Sequence, residues 1–118
     1  MSSIYERFGG PVAVEELVAR LDEQLLLDPR LADRFAGVDL STLARHQRDL
    51  VILLLGGDGA YVGRRLRQAH ADLDLDDRDF DAFLDHLAKA LRHMETPEDL
   101  AEQVRAAFAS LRADVLGA

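Results

Sequence analysis

The chain has 118 residues, 48% of them hydrophobic and 31% charged, which is enough for one soluble domain with a buried core. Fourteen basic and 22 acidic side chains give a net charge of −8, which argues against general binding to nucleic acids or anionic membranes. The absence of cysteine excludes disulfides, cysteine-ligated zinc, iron–sulfur clusters and thiol catalysis.

No targeting or membrane-spanning pattern is present. Residues 1–6 lack the charged-then-apolar order of a signal peptide. The longest apolar run, Leu50–Leu55, is far shorter than the ~20 residues that cross a bilayer. We therefore expect a cytoplasmic protein with no membrane or nucleic-acid partner, folded as a single domain over residues 1–118 and existing as a monomer or weak homodimer.

The first long helix is predicted from its apolar spacing, in a chain rich in helix formers and poor in β-branched and aromatic residues. It follows a short turn over residues 4–8, with Pro11 at a position that helices tolerate. Asp28-Pro29 ends it. Its apolar stripe contains Val14, Leu17, Val18, Leu21 and Leu25.

The second long helix is predicted from about Thr42 to Leu55, with Asp39 or Ser41 as its cap. Its apolar stripe contains Leu43, Leu50, Val51 and Leu54. Gln47 lies in the same stripe and His46 on its edge. Polar residues on an apolar face usually need a partner or a function.

A loop carrying Tyr61 is predicted over Gly56–Gly63, followed by a short helix over Arg64–Ala71. The apolar face of this helix contains Leu66, His70 and Leu73, at i, i+4 and i+7.

Two further helices complete the prediction. Asp76 caps the first, whose stripe contains Phe80, Phe83, Leu84, Leu87 and Leu91. His86 and His93 are predicted on its solvated face. Thr96, followed by Pro97, caps the last helix, which buries Leu100, Val104, Ala107, Phe108, Leu111 and Val115. The prediction is an all-α domain of four long helices plus short ones.

Two histidines on apolar faces are the candidates for chemistry. His70 shares a stripe with Leu66, and His46 shares a face with Leu43 and Gln47. Imidazole is a common axial ligand of heme iron, and a flat apolar macrocycle needs two apolar walls. Pattern alone leaves this open, because a lone histidine on an apolar face is more often a satisfied core residue. A zinc site is not favoured, because it needs three or four ligands at close spacing.

Several short segments occur together, in order and at matching separations, in one known family. They are Ile4-Tyr5-Glu6-Arg7-Phe8-Gly9-Gly10, Leu27-Asp28-Pro29-Arg30-Leu31, Phe35-Ala36-Gly37-Val38-Asp39, Arg45-His46-Gln47-Arg48, Leu55-Gly56-Gly57, Tyr61-Val62-Gly63-Arg64, Arg67-Gln68-Ala69-His70, Phe80-Asp81 and His86-Leu87. On these segments the chain resembles the group I truncated hemoglobins, from Ile4 to about Val115.

The resemblance implies a truncated globin fold, a two-over-two helical sandwich around a heme, with His70 as the proximal iron ligand. It implies binding or transport of oxygen, or of another diatomic ligand such as nitric oxide or carbon monoxide. Residues 114–118 lack the histidine that in some cyanobacterial relatives bonds covalently to a heme vinyl group. We therefore expect noncovalent heme b.

The resemblance also implies roles for other residues. Phe35 matches the aromatic residue that packs flat against the heme edge, although it could equally be a core phenylalanine. Leu43 and Gln47 match distal positions, where Gln47 could donate a hydrogen bond to a bound ligand. Arginines could pair with the heme propionates or remain solvated charges: Arg64 and Arg67, with Arg45 or Arg48 on the other wall. The remaining expected heme contacts are Leu66, Tyr61 and Phe83.

Two positions set this sequence apart. His46 matches a position that in some cyanobacterial relatives supplies a sixth ligand, which would favour electron transfer; alternatively it swings to solvent or to a propionate. Asp22 replaces the family's usual distal tyrosine and can donate a hydrogen bond only when protonated. As an anion it would favour ferric heme, and it could instead assist peroxide chemistry; alternatively it points to water.

Whether the chain is an enzyme stays open. The alternatives to a gas-binding globin are a nitric oxide dioxygenase or peroxidase-like heme enzyme and a bis-histidyl electron-transfer protein. A reductase is a candidate partner. A helical interaction module that kept the fold but lost heme is a further alternative. Against it stands the joint presence of His70, Phe35 and Gln47.

Overall fold

A computed structural model describes residues 3–70 and 75–116, without the side chains of Ala69 and His70. The helices in these ranges are α1 (Ile4–Phe8), α2 (Gly10–Leu27), α3 (Leu40–Leu55), α4 (Gly59–His70), α5 (Asp77–His93), α6 (Glu98–Ala109) and α7 (Arg112–Leu116). A 3-10 turn covers Ala32–Phe35. The described ranges contain no strand, so the all-α prediction is confirmed. The predicted stripe residue Leu73 and the predicted helix end at Ala71 lie outside the described residues.

Helix α2 is the part of the fold that the sequence predicts best. Its five predicted stripe residues are all buried, and the helix ends at Leu27, directly before the predicted stop at Asp28. Gly9, with φ +123°, forms the turn from α1. A Cβ atom there would lie 2.9 Å from Cβ of Ala13, so this turn needs glycine.

Helix α3 begins at Leu40, two residues before the predicted start. Asp39 is its N-cap: the carboxylate accepts hydrogen bonds from the backbone N–H groups of Ser41 and Thr42 at 3.0 and 3.3 Å. The capping prediction is confirmed for Asp39, and Ser41 lies inside the helix.

The predicted loop over residues 56–63 is wrong, because α4 begins at Gly59. Only residues 56–58 separate α3 from α4, and Tyr61 is helical. A helical hydrogen bond is already present at this end of α4, where the N–H of Val62 donates to the carbonyl of Asp58 at 3.2 Å. Val62 is buried, and this burial continues the apolar face of α4 toward its start. The structure therefore has five helices of 12 residues or more in its described part, where the sequence predicted four long ones.

Helix α5 starts with the predicted cap. Asp76 and Asp79 form a capping box, in which each side chain accepts a hydrogen bond from the other's backbone N–H. The predicted stripe is buried except for Phe83, which is half-buried.

The predicted last helix is divided in two. Helix α6 starts at Glu98, and Pro97, not Thr96, occupies its cap position. The chain turns at Ser110, whose Oγ donates to the carbonyl of Ala107 at 2.7 Å, before α7 begins. The spacing of the apolar residues continues unchanged through this turn, so the sequence did not predict the break between α6 and α7.

Helix α2 packs against α3 and α5. Helix α5 also packs against α6, and α4 packs against α3 and α7. None of the described helices is both long enough and apolar enough to cross a bilayer.

Candidate functional site

A cavity of about 690 Å³ lies between the helices. This volume is within the range of about 300–1,000 Å³ that is typical of ligand and cofactor pockets. All but six of its lining residues are apolar. The polar lining residues are Arg34, His46, Gln47, Arg65, Gln68 and Asp79. A large, mainly apolar molecule with a few polar groups fits such a lining.

Six of the sequence-predicted site residues line this cavity. They are Phe35, Leu43, His46, Gln47, Leu66 and Phe83. They come from the 3-10 turn and from helices α3, α4 and α5, so the fold brings together residues that are up to 48 positions apart in the sequence.

Helix α3 forms one wall of the cavity. Leu43, His46, Gln47 and Leu50, at i, i+3, i+4 and i+7, all line it, as helical geometry requires for one face. His46 is exposed, whereas Gln47 is half-buried. His46 therefore sits on the edge of the stripe, as predicted.

An aromatic group contributes to another wall. The ring centre of Phe83 lies 6.0 Å from that of Phe80 and 5.8 Å from that of Phe108, and the rings are tilted with respect to each other. All three residues line the cavity. Tilted ring pairs at these distances are energetically favourable, so the three rings stabilise this wall of the cavity.

Asp22 does not line the cavity, but it lies behind a residue that does. Its side chain is half-buried, and its Oδ1 is fully buried without a hydrogen-bond partner among the described residues. Burial raises the pKa of Asp22, and hydrogen bonding with the amide of Gln47 lowers it by less. The carboxyl group therefore faces α3, and the alternative that it points to water is wrong.

Gln47 carries a second buried oxygen of this kind. In the part of the chain that the structure describes, its Oε1 has no hydrogen-bond partner. Buried polar atoms are normally paired, so this oxygen is an exception within the side chains that pack behind the cavity surface.

The predicted propionate partners Arg64 and Arg67 do not line the cavity. Arg64 is exposed, with its guanidinium 5.8 Å from the ring centre of Tyr61. Nε of Arg67 lies 3.1 Å from Oδ1 of Asp114 in α7, so this arginine is held by a partner within the chain.

The other two predicted propionate partners, Arg45 and Arg48, are also outside the cavity lining. Arg45 is exposed, and Arg48 forms an ion pair with Glu15 of α2 at 3.3 Å. Tyr61 is not a lining residue either; its hydroxyl accepts a hydrogen bond from Nη1 of Arg65 at 3.0 Å.

The arginines that do line the cavity are Arg34 and Arg65. Nη2 of Arg34 lies 3.3 Å from Oδ2 of Asp79, another lining residue. Sequence reasoning missed both. The available signals were that Arg34 directly precedes Phe35, and that Arg65 lies one helical turn after the buried Val62.

His70 is the last residue of α4, four positions after the lining residue Leu66. Its side chain lies outside the described part, so iron ligation by His70 stays a prediction. Within the described part, no group of three or more histidine, aspartate or glutamate side chains is arranged to hold a metal ion.

The prediction that His86 lies on a solvated face is wrong. Its side chain is only 19% exposed, and its Nε2 lies 2.7 Å from Oδ2 of the buried Asp28. This contact is remote in sequence, which is why helical periodicity did not reveal it. His93 is exposed, as predicted.

Comparison with known proteins agrees with this architecture. The family model described as bacterial-like globin matches residues 3–116. The group 1 truncated hemoglobin GlbN of Synechocystis is 37% identical over 110 residues, covering 90% of this chain and 89% of the relative. The chain belongs to the group 1 truncated hemoglobins.

Solved structures of this family confirm the expected two-over-two fold. The 2/2 hemoglobin of Synechococcus, in the cyanomet state with covalently attached heme, superposes with a TM-score of 0.91; it is 32% identical and covers 99% of this chain and 100% of its own. The truncated hemoglobin of Tetrahymena pyriformis in its Fe(III) form has a TM-score of 0.88 and 28% identity, with 98% of each chain covered.

Proposed function

We propose that this truncated hemoglobin binds heme b noncovalently in the 690 Å³ cavity, with His70 as the proximal ligand, and takes up a diatomic gas. The observation that carries the proposal is the lining, which is apolar apart from six residues on walls contributed by several helices. Heme iron supplies a coordination position at which oxygen, nitric oxide or carbon monoxide can bind.

The chain's own residues have two tasks in such a site. The apolar walls, including Leu43, Phe35 and Phe83, exclude water and orient a planar molecule. Arg34 and Arg65 offer guanidinium groups to carboxylates, a geometry that allows paired hydrogen bonds. Their place in the lining favours them over Arg64 and Arg67 as propionate partners.

Gln47 is the polar group that could contact a bound gas, because it lines the cavity and its amide N–H group can donate a hydrogen bond. Asp22 is separated from the cavity lining, which disfavours a peroxidase-like mechanism in which this carboxyl group acts directly on a bound ligand. Noncovalent attachment is supported by the absence of histidine after His93 in the sequence.

A bis-histidyl electron-transfer protein is the second candidate. The observation that favours it is His46, an imidazole that lines the cavity one turn after Leu43. His46 together with His70 would hold the iron of a bound heme through two imidazoles, an arrangement that would favour electron transfer over gas binding.

The test is spectroscopic. Purified wild-type protein, His70→Gly and the exposed control variant His93→Ala are titrated with hemin, and absorption spectra are recorded before and after dithionite and carbon monoxide. We expect one heme per chain, a carbon monoxide spectrum for the wild type and His93→Ala, and an altered spectrum for His70→Gly that added imidazole restores. Heme extraction into acidified butanone tests noncovalent attachment.

Two results would contradict the proposal. A wild-type chain that stays colourless after heme is supplied would point to the heme-free interaction module. A His70→Gly variant with an unchanged spectrum would remove His70 as the ligand while leaving heme binding intact.

A further inference from the structure

The boundary between α5 and α7 contains little packing. Helix α7 packs mainly against α4, and of its five residues, all of which are described, none is fully buried. A cleft of about 280 Å³ lies between α7 and the start of α5. The cleft and its lining residues form a seam between the two helices; these residues are Leu75, Asp76, Asp77, Arg112, Ala113 and Leu116. Opening the seam would therefore expose little buried apolar surface.

The seam separates the cavity from solvent. Asp77 and Ala113 are exposed, so the cleft reaches the surface of the protein. Leu75 and Leu116 line both the cleft and the 690 Å³ cavity, and both are only half-buried. Displacing these two side chains would join the cleft to the cavity and open a path from solvent to the proposed heme site.

Arg112 of α7 bridges the seam. Its Nη1 lies 2.8 Å from Oδ1 of Asp77, and its Nη2 lies 2.5 Å from Oδ1 of Asp81, both on α5. The same guanidinium lies 4.7 Å from the ring centre of Phe80, which is within the range of a cation–π contact. Phe80 lines the cavity. One side chain thus holds α7 to α5 by three contacts beside the cavity wall.

The charges around Arg112 make the closure depend on it. Asp77 and Asp81 are four positions apart on α5, so their carboxylates are neighbours that repel each other without a cation between them. Among the described residues that line the cleft, Arg112 is the only cation. Both ion pairs are partly exposed to solvent, and such pairs are individually weak. The closure is therefore easily reversed.

We propose that the seam is the opening through which heme enters and leaves the cavity, and that Arg112 closes it. The inference rests on the proposed heme site. A planar macrocycle is too wide to pass between closely packed helices, so its exchange requires one helix boundary to part. The seam meets this requirement because it borders the cavity and is held by contacts that water and ions can replace. Arg112 does not line the cavity, so it acts through the position of α7.

The experiment measures heme loss from the loaded protein to an excess of a heme-scavenging apoglobin. Arg112→Gln removes both ion pairs, and Asp81→Asn removes one while Arg112 stays beside Phe80. The matched control is Arg20→Gln, which removes an exposed ion pair within α2, from Nε of Arg20 to Oε2 of Glu16 at 2.9 Å. Neither residue of that control pair lines the cavity.

At low salt we expect heme loss to be about two- to tenfold faster in Arg112→Gln and about two- to fivefold faster in Asp81→Asn. Raising the salt concentration from about 0.01 M to about 1 M shortens the screening length from ~30 Å to ~3 Å, so the wild type should approach the variants. The salt effect should be smaller in Arg112→Gln. Arg20→Gln should match the wild type at each salt concentration.

Opening of the seam can also be followed without heme, because the chain has no cysteine. Leu116→Cys places a single thiol between the cleft and the cavity, and its reaction with a maleimide reports access from solvent. The rate is measured on the chain as purified, before and after hemin is added. In this background we expect Arg112→Gln to raise the rate about two- to tenfold and Arg20→Gln to leave it unchanged.

Equal heme loss in Arg112→Gln and wild type overturns the inference. An equal acceleration in Arg20→Gln also overturns it, since heme would then leave through a general loosening of the fold. If the variants change the association of carbon monoxide but not heme loss, the seam admits small ligands only, and the inference is again overturned. If the chain takes up no heme, the proposed function fails, and the thiol reaction still decides whether Arg112 closes the seam.

Discussion

Nε2 of His86 lies 2.7 Å from Oδ2 of Asp28, and Nδ1 of the same ring lies 3.2 Å from Oε1 of Gln24. The imidazole of α5 is thereby joined to the residue that ends α2. Asp28 is buried. Hydrogen bonds from Arg30, and to a smaller extent from His86, hold the pKa of its carboxyl group well below the usual range. This link connects two helices that both contribute to the cavity.

Acid should weaken the fold through Asp28. Because its pKa is lower in the folded chain than the unfolded value of about 3.9, its stabilising effect is complete above that value and is lost as pH falls. We expect Asp28→Asn to be less stable than wild type at pH 7 and to lose less stability between pH 5 and pH 3. Urea unfolding across this range measures it, with Glu23→Gln as control. Equal pH slopes for wild type and Asp28→Asn would contradict the assignment.

Leu17 has no exposed surface and lies in the stripe of α2, outside the cavity lining. Leu17→Ala removes buried methyl groups and leaves a void, so we expect it to cost about 2–5 kcal/mol of unfolding free energy. Val12→Ala, at a position that is 77% exposed, should change it by less than about 0.5 kcal/mol. Similar losses for both variants would show that α2 is not packed as described.

The contact between α4 and α7 can be tested at a glycine. A Cβ atom on Gly63 would lie 2.6 Å from Oδ2 and 2.9 Å from Cγ of Asp114. Gly63→Ala should therefore displace the Asp114 carboxylate from its ion pair with Arg67 and destabilise the protein, even though alanine stabilises a helix relative to glycine by about 1 kcal/mol.

The matched control for Gly63 is Gly59→Ala in the same helix, where the new Cβ would lie 3.8 Å from Leu54, an ordinary contact. Thermal unfolding should show a loss for Gly63→Ala and no loss for Gly59→Ala. Asp114→Ala combined with Gly63→Ala should recover stability relative to Gly63→Ala. Without this recovery, the clash is not the cause.

His46 offers a test of the second candidate function. If its ring coordinates iron at rest, the ferric wild type is low-spin, and His46→Leu becomes high-spin. An incoming gas would then bind faster to the variant, by about tenfold if the ring occupies the position in about nine of ten molecules. Stopped-flow mixing with carbon monoxide measures this, with His93→Leu as control. Identical spectra and rates for wild type and His46→Leu would exclude the sixth ligand.

Local patterns predicted most of the helices. The stripe of α2, the stop at Asp28 and the cap at Asp76 depend on residues within a few positions of each other, so helical spacing and capping chemistry were sufficient. The start of α4 was misplaced, because the tertiary burial of Val62 extends that helix toward Gly59.

The part of the site that is formed by helix faces was predictable from the sequence. Leu43 and Gln47 were expected in the cavity from their place on one face of α3, and they line it. The selection among arginines was not predictable, because a guanidinium on a long side chain takes whichever carboxylate the folded chain brings near it. Arg67 was expected at the heme and instead pairs with Asp114, which is 47 positions away.

The amino-acid sequence by itself determined the all-α class, the family and the faces of the helices, because periodicity, caps and short motifs act over a few residues. The tertiary structure alone decided which polar groups meet: His86 with Asp28, and Asp22 with Gln47. Such pairs form where helices that are distant in sequence cross. Burial and new hydrogen bonds there shift the pKa of a carboxyl group away from its ordinary value.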